Sequence, residues 1–147
     1  MSIQWREKLS VDASFIDNEH KKLIMLVNMF EAAVERKEGA GAVDKILRSL
    51  YDYTKEHFQH EEDFQNKVSY PFAAAHKNEH RCLMRRLGEI ISLYQERADG
   101  QNQNEVLKEV MSLLKDWLIQ HIIGSDLKMK PYVENVRKYE RIGTQVA

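Results

Sequence analysis

The sequence predicts an all-α fold: an antiparallel up-down-up-down four-helix bundle with an N-terminal arm and a short C-terminal helix and tail. Apolar residues recur every three or four positions in four long stretches, which is the period of an amphipathic helix. Only two prolines and six glycines interrupt the 147 residues, and short polar loops separate the stretches. No strand-like alternation or internal repeat is present. We therefore expect one domain over residues 1–147.

The first two predicted helices are joined by a glycine-containing loop. The first covers residues 17–37, and residues 38–41 end it because glycine tolerates the left-handed geometry of a helix end. The second covers residues 42–66. The apolar side chains expected to face the core from these two helices are Leu23, Val27, Phe30, Val34, Ile46, Leu50, Tyr53 and Phe64.

The third and fourth predicted helices follow a break at residues 68–71, where Pro71 suits the first position of a helix. The third extends to residue 98, a polar loop covers 99–104, and the fourth covers 105–123. Their core-facing side chains are predicted to be Leu83, Leu87, Ile90 or Ile91, Tyr94, Leu107, Val110, Leu114 and Trp117. Residues 1–16 form the predicted arm, 17–126 the bundle, and 127–147 the C-terminal helix and tail.

The composition indicates a soluble cytoplasmic protein. The net charge is −1 with both signs mixed along the chain, so neither a nucleic acid nor a membrane surface is indicated as a partner. Cys82 is the single cysteine, which excludes an intrachain disulfide and favours a reducing compartment. The first residues lack the apolar core of a signal peptide. No stretch reaches the ~18 apolar residues of a membrane helix. No protein partner is indicated.

Six histidines carry the functional signal. Five of them continue the core-facing stripes of the helices, namely His20, His57, His76, His80 and His121. His60 lies about 60° away from the stripe of its helix and is left out. A single histidine in a core is commonly a tolerated residue with one partner. Five in one layer would each cost ~1–3 kcal/mol if left without partners, and a shared metal removes that cost.

The histidines are also predicted to lie at one level of the bundle. His20 is early on the first helix and His57 late on the second, so an antiparallel pair brings them together. His76 and His80 are early on the third helix, and His121 is late on the fourth. All four helices therefore deliver a candidate ligand to the same end.

Two spacings place paired ligands on single helical faces. Glu61 follows His57 by four residues, and His80 follows His76 by four. Residues four apart on a helix lie on the same face, about one turn apart. Each pair therefore suits a shared metal centre.

Asp126 is the second candidate carboxylate. It follows His121 by five residues, which overshoots by roughly 140° on a straight helix, so spacing alone makes it a weak candidate. Gly124 lies between the two residues and makes a helix end there plausible.

The candidates exceed what one ion can bind. Five imidazoles and two carboxylates are more than the roughly six positions of one ion, whereas two such ions offer roughly twelve. Two bridging carboxylates, five histidines and a bridging oxide or hydroxide fill all but one, and a small molecule would bind at the open position. Imidazole with carboxylate suits iron, with manganese or zinc as competitors. Di-iron oxygenases of the bundle type use carboxylate-rich sites, typically with four Glu and two His, so a site with two carboxylates favours binding of oxygen over oxidation chemistry.

Four segments resemble the hemerythrin family, in particular its bacterial single-domain members, the bacteriohemerythrins. They are IDNEH at 16–20, HFQHEE at 57–62, HKNEH at 76–80 and HIIGSD at 121–126. The resemblance implies reversible dioxygen binding at a non-haem di-iron centre, for oxygen storage, transport or delivery. It implies His76, His80 and His121 on one iron and His20 and His57 on the other, with Glu61 and Asp126 as bridges. Glu19 stands where the family commonly has Gln.

Apolar neighbours of the ligands are predicted to form a dry oxygen pocket and are ordinary core residues in any case. They are Leu23, Phe58, Trp117, Leu118 and Ile122. A hydrophobic shell of this kind controls solvent access to a metal.

Other functional classes remain as alternatives to an oxygen carrier without enzymatic activity. HKNEH at 76–80 also matches the short H-x-x-E-H zinc protease pattern, but that interpretation leaves His20, His57 and Glu61 unused. A di-iron enzyme acting on peroxide or nitric oxide would use the same ligands. So would an oxygen or redox sensor, although no signalling domain accompanies this one.

Overall fold

A computed structural model describes residues 2–96 and 103–146, and this part of the chain is helical without any strand. The five α-helices are α1 (Phe15–Glu35), α2 (Ala40–Lys67), α3 (Ala73–Glu96), α4 (Gln103–Gly124) and α5 (Lys130–Val146). Short 3-10 helices cover Glu7–Leu9 and Asp126–Met129. α1 packs on α2 and α4, and α3 packs on the same two helices, which closes the bundle. The predicted all-α bundle is confirmed.

The predicted helix ends differ from the observed ends by one or two residues wherever both are described. Pro71 lies in the turn before α3 instead of at its first position. The predicted end of the third helix at residue 98 and most of the loop at 99–104 lie outside the described residues. The C-terminal helix α5 has 17 residues, so it is longer than the short helix that the sequence predicts.

The core lies between the four bundle helices, and most of the predicted core-facing residues are buried in it. On α2 the buried stripe runs through Val43, Leu47, Leu50 and Thr54 before it reaches His57. The predicted Ile46 lies beside this stripe and is only half-buried. The apolar pattern did not select Thr54 because it is polar, but its hydroxyl donates to the Leu50 carbonyl, so it is buried with a partner.

The N-terminal arm is tied to the start of α1 by two buried aspartates. The Asp17 carboxylate accepts hydrogen bonds from the Ser10 hydroxyl and from the backbone N–H groups of Val11 (2.7 Å) and Ala13 (3.0 Å). The Asp12 carboxylate accepts in return from the backbone N–H groups of Ile16 (2.9 Å) and Asp17 (3.0 Å). Together they satisfy donors that a helix start leaves unpaired. This loop fixes where α1 begins, one turn before His20.

A second, smaller apolar cluster closes the end of the bundle next to the histidines. It joins the arm, the turn before α3 and the C-terminal segment, and its buried members are Val11, Ile16, Tyr70, Met129 and Val133. The cluster therefore covers one side of the histidine layer. Among the described residues, no helix is both long and apolar enough to cross a membrane.

Replacement of Asp17 by alanine is expected to destabilise the fold by about 2–3 kcal/mol, because several buried donors lose one charged acceptor. Burial raises the pKa of the Asp17 carboxyl, but hydrogen bonds from Ser10 and the backbone outweigh it and hold that pKa below its usual value. The stabilisation is therefore present at neutral pH and is lost as acid protonates the folded carboxylate. Chemical denaturation at pH 7 measures the difference.

Asn18→Ala is the matched control, since Asn18 is exposed on the same turn and its change is expected to stay within about 0.5 kcal/mol. Equal stability of Asp17→Ala and Asn18→Ala would contradict the role assigned to Asp17.

Candidate metal centre

The structure brings the seven predicted ligand side chains into one buried layer at one end of the bundle. α1 contributes one of them, α2 and α3 two each, α4 one, and the 3-10 helix after α4 one. In chain order they are His20, His57, Glu61, His76, His80, His121 and Asp126, and each is at most 4% exposed. His60 is half-buried and lies outside this layer.

The donor atoms of these side chains divide into two groups. Within each group all donor atoms lie within 4.8 Å of one another. The first group comprises Glu61, His76, His80, His121 and Asp126, and the second comprises His20, His57, Glu61 and Asp126. The two carboxylates belong to both groups, and the histidines divide three to two. Such a division is expected where two neighbouring cations share two bridging carboxylates.

Asp126 lies between the two groups of histidines. Its Oδ2 is 2.9 Å from His20 Nε2, while its Oδ1 is 2.9 Å from His76 Nε2 and 2.9 Å from His121 Nε2. Glu61 Oε1 is 2.7 Å from His57 Nε2 and 3.9 Å from His80 Nε2. Each carboxylate therefore reaches histidines of both groups.

The geometry of Asp126 follows from the end of α4. Ser125 N–H donates to the His121 carbonyl at 2.9 Å, after which the chain tightens into the 3-10 helix Asp126–Met129. On a continued α-helix the five-residue spacing from His121 would carry Asp126 away from the layer. Because the α-helix ends at Gly124, the Asp126 carboxylate lies in the histidine layer.

The buried polar atoms of the layer fit a cation. Imidazole nitrogens approach three of the four oxygens of Glu61 and Asp126 at 2.7–2.9 Å. Among the described residues, however, none of these four buried oxygens has a partner in hydrogen-bond geometry. Such groups are costly unless something compensates their charge and lone pairs. His80 Nε2 and His121 Nε2 lie 3.1 Å apart. Donors on an ion with ~2.1 Å nitrogen bonds lie roughly 3 Å apart when they subtend a right angle. The cluster is able to bind metal.

Protonation of the histidines follows from burial and the carboxylates. Burial disfavours the charged form of His57, but Glu61 and Glu19 outweigh it and raise its pKa to about 10. Burial lowers the pKa of His80 to about 3. Burial and Asp126 raise the pKa of Glu61, yet His57 and His121 prevail and lower it to about 2. Without metal, imidazolium groups neutralise the carboxylates, and a bound cation would replace their protons.

Two acidic residues that the sequence analysis did not select hold the ligand rings from outside. His57 Nδ1 donates to Glu19 Oε1 at 3.0 Å, and His121 Nδ1 donates to Glu79 Oε1 at 2.9 Å. The Gln65 side-chain amide lies 2.9 Å from His76 Nδ1. An acceptor on the outer nitrogen, as Glu19 is for His57 and Glu79 for His121, fixes the ring orientation and leaves Nε2 free for a metal.

A sequence signal for the two carboxylates was present. Glu19 directly precedes His20, and Glu79 directly precedes His80. Neighbouring residues on a helix differ by about 100°, so the carboxylate of each pair faces the next helix when the histidine faces the core.

An aromatic cluster covers the three-histidine group. The Phe58 ring stacks on His80 with centroids 3.7 Å apart and an interplanar angle of 5°. Trp117 lies 5.8 Å from Phe58 and 6.3 Å from His121, centroid to centroid. Leu23 and Ile122 are also buried. The side chain of Leu118, the fifth predicted pocket residue, lies outside the described residues.

An antiparallel four-helix bundle with five imidazoles and two carboxylates in one buried layer is the architecture of a metal-binding bundle protein. Residues 11–133 match the model of the hemerythrin HHE cation binding domain. The chain therefore belongs to the hemerythrin family.

The similarity extends over most of the chain. It is 34% identical to a bacteriohemerythrin of Pseudomonas paraeruginosa over 133 residues, which is 90% of this chain and 80% of the relative. It is 30% identical to a bacteriohemerythrin of Stenotrophomonas maltophilia over 135 residues, covering 92% and 82%. A solved structure of a mutant hemerythrin superposes with a TM-score of 0.78 at 25% identity, covering 90% of this chain and 98% of that chain.

Glu61→Ala is expected to reduce the metal content from two ions per chain to one or none, because Glu61 is one of the two carboxylates that both donor groups share among the described residues. His60→Ala is the matched control on the same helix and is expected to retain two ions at saturating metal. Elemental analysis of the purified variants gives the stoichiometry. Two ions in Glu61→Ala, or their loss in His60→Ala alone, would contradict the assignment.

Proposed function

We propose that this chain is a single-domain oxygen-binding protein that binds dioxygen reversibly at a non-haem di-iron centre, for storage, transport or delivery. The observation that carries the proposal is the division of the donor atoms into a three-histidine group and a two-histidine group that share both carboxylates. We propose His76, His80 and His121 for one iron, His20 and His57 for the other, and Glu61 and Asp126 as bridges. When bound, the iron pair supplies the electrons that dioxygen binding requires.

The unequal donor groups suggest where dioxygen is accommodated. His20 and His57 are two imidazoles where the other group offers three, so the His20–His57 side has one protein donor fewer. With both carboxylates shared, that side is the one with room for a small ligand. This supports binding of a diatomic molecule more than binding of a larger substrate.

The protein wall around the layer supports retention of a bound ligand. Leu23 is 1% exposed and Ile122 is 2% exposed, and Phe58 and Trp117 present ring faces and edges to the histidines. An apolar wall hinders the release of charged reduced oxygen species, because they would leave without a hydration shell. Leu118 stays a pocket residue predicted from the sequence alone.

The donor chemistry favours a carrier over an enzyme. Bundle proteins that combine two Glu-x-x-His motifs with two further Glu residues have about four carboxylates around their metals. This layer has two carboxylates and five neutral imidazoles as donors, and so gives less negative charge to stabilise strongly oxidised iron. The same side chains would hold and release dioxygen without cleaving it. We place this function in the cytoplasm, where the exposed Cys82 thiol would stay reduced.

The reduced, iron-loaded protein is expected to take up one dioxygen per chain in air and to return to its reduced spectrum under argon without added reductant. Visible absorption spectra recorded through one cycle of air and argon measure this, and oxygen uptake gives the stoichiometry. Immediate, irreversible conversion to the oxidised form in air would exclude storage or transport. Sustained turnover of peroxide or nitric oxide with an electron donor would favour the enzyme alternative instead.

Phe58→Leu tests whether the aromatic wall slows oxidation of the centre. The change removes the ring that stacks on His80 while it keeps an apolar side chain, so faster oxidation over repeated cycles is expected with metal content retained. Phe72→Leu is the matched control, because Phe72 is 56% exposed and is expected to leave the oxidation rate unchanged.

A further inference from the structure

His60 lies outside the proposed metal ligands but is connected to one of them. His60 Nδ1 lies 2.7 Å from Glu19 Oε2, while Glu19 Oε1 accepts from His57 Nδ1 at 3.0 Å. A carboxylate oxygen only accepts, so both imidazoles donate to Glu19. The side chains of His60, Glu19 and His57 are 42%, 14% and 1% exposed, so this connection leads from the surface to the buried layer.

The other half of the bundle repeats this arrangement with a different outer residue. Glu79 accepts from His121 Nδ1 at 2.9 Å and from the Ser125 hydroxyl at 2.7 Å. In both halves the carboxylate precedes a ligand histidine on one helix, and it holds the ligand histidine of the next helix. The outer donor is a ring at His60 in one half and a hydroxyl at Ser125 in the other.

Glu19 needs an outer donor because of where it lies. Its carboxylate lies at the partly exposed interface between α1 and α2. A glutamate side chain without partners there would have several rotamers that point into water. A bond from His57 alone restrains one oxygen. The second bond, from His60, restrains the other oxygen and fixes the plane of the carboxylate toward the buried ring.

We propose that His60 is a positioning residue for the metal centre: through Glu19 it holds the His57 ring with Nε2 toward the His20–His57 position and so raises the metal affinity of that position. This inference rests on the proposed di-metal function of the layer. Outer partners of metal-binding histidines typically contribute 10–100-fold in affinity. Glu19 contacts the ring directly and His60 acts one step further out, so a smaller effect is expected for His60.

Glu56 is a second acidic side chain near His60. Its Oε1 lies 3.9 Å from His60 Nε2, the ring nitrogen that does not contact Glu19, and its side chain is 66% exposed. A surface contact of this length contributes little to the placement of His60. Glu56→Gln is therefore a matched control: it changes a charge beside His60 and leaves the bond to Glu19 in place.

Cobalt(II) alone, titrated into the metal-free full-length chain in competition with a chelator, measures the affinity of each of the two binding steps. His60→Leu is expected to weaken one step by roughly three- to tenfold and to leave the other unchanged, and Glu19→Ala, which removes the acceptor for His57, should weaken the same step by roughly 10–100-fold. His60→Asn should stay within about twofold of the unaltered protein, because its amide nitrogen takes the place of Nδ1 as donor. Glu56→Gln should match the unaltered protein.

The variants separate positioning from a general effect on the fold. Equal weakening of both steps by His60→Leu, or no change in either, would overturn the inference. So would a His60→Asn variant as weak as His60→Leu, because the N–H donor would then not matter. If the unaltered protein bound fewer than two cobalt ions, the proposed di-metal function itself would fall, and this inference with it.

Discussion

The arrangement of the helices in this protein depends on the burial of two carboxylates. Glu61 and Asp126 are fully buried, and an ionised carboxylate in a protein interior is costly unless positive charge and donors surround it. Five imidazoles converge on these two carboxylates. Two metal ions bound between the carboxylates and the imidazoles would offset the cost of burial further. The bundle therefore has to bring residues from four helices and one 3-10 helix to the same level.

The surrounding structure is arranged to meet that requirement. Asp12 of the N-terminal arm and Asp17 of α1 set the start of α1, and with it the height of His20. The end of α4 at Gly124 turns Asp126 back into the layer. Glu19 and Glu79 then orient histidines of the neighbouring helices from outside. Each of these interactions lies at the end of a helix or at the interface between two helices, so the long helices themselves stay regular.

The sequence predicted the helices and the grouping of the histidines because both follow from helical periodicity. His76 and His80, four apart on one helix, need no knowledge of the rest of the chain. Asp126 was different, since its place depends on where α4 ends. Glu19 and Glu79 were missed because an acidic residue next to the core-facing side of a helix looks, in the sequence, like an ordinary charged residue exposed to solvent. Thr54 was missed because its hydroxyl is satisfied within its own helix, which no apolar pattern records.

Crystals of the iron-loaded protein, measured on both sides of the iron absorption edge, test the central claim most directly: that one layer holds two ions which share Glu61 and Asp126. Two anomalous peaks per chain are expected, one beside His76, His80 and His121 and the other beside His20 and His57. The two oxygens of Asp126 should each face a different peak, as they face different histidines here. A single peak, or two peaks without a common carboxylate, would contradict the claim.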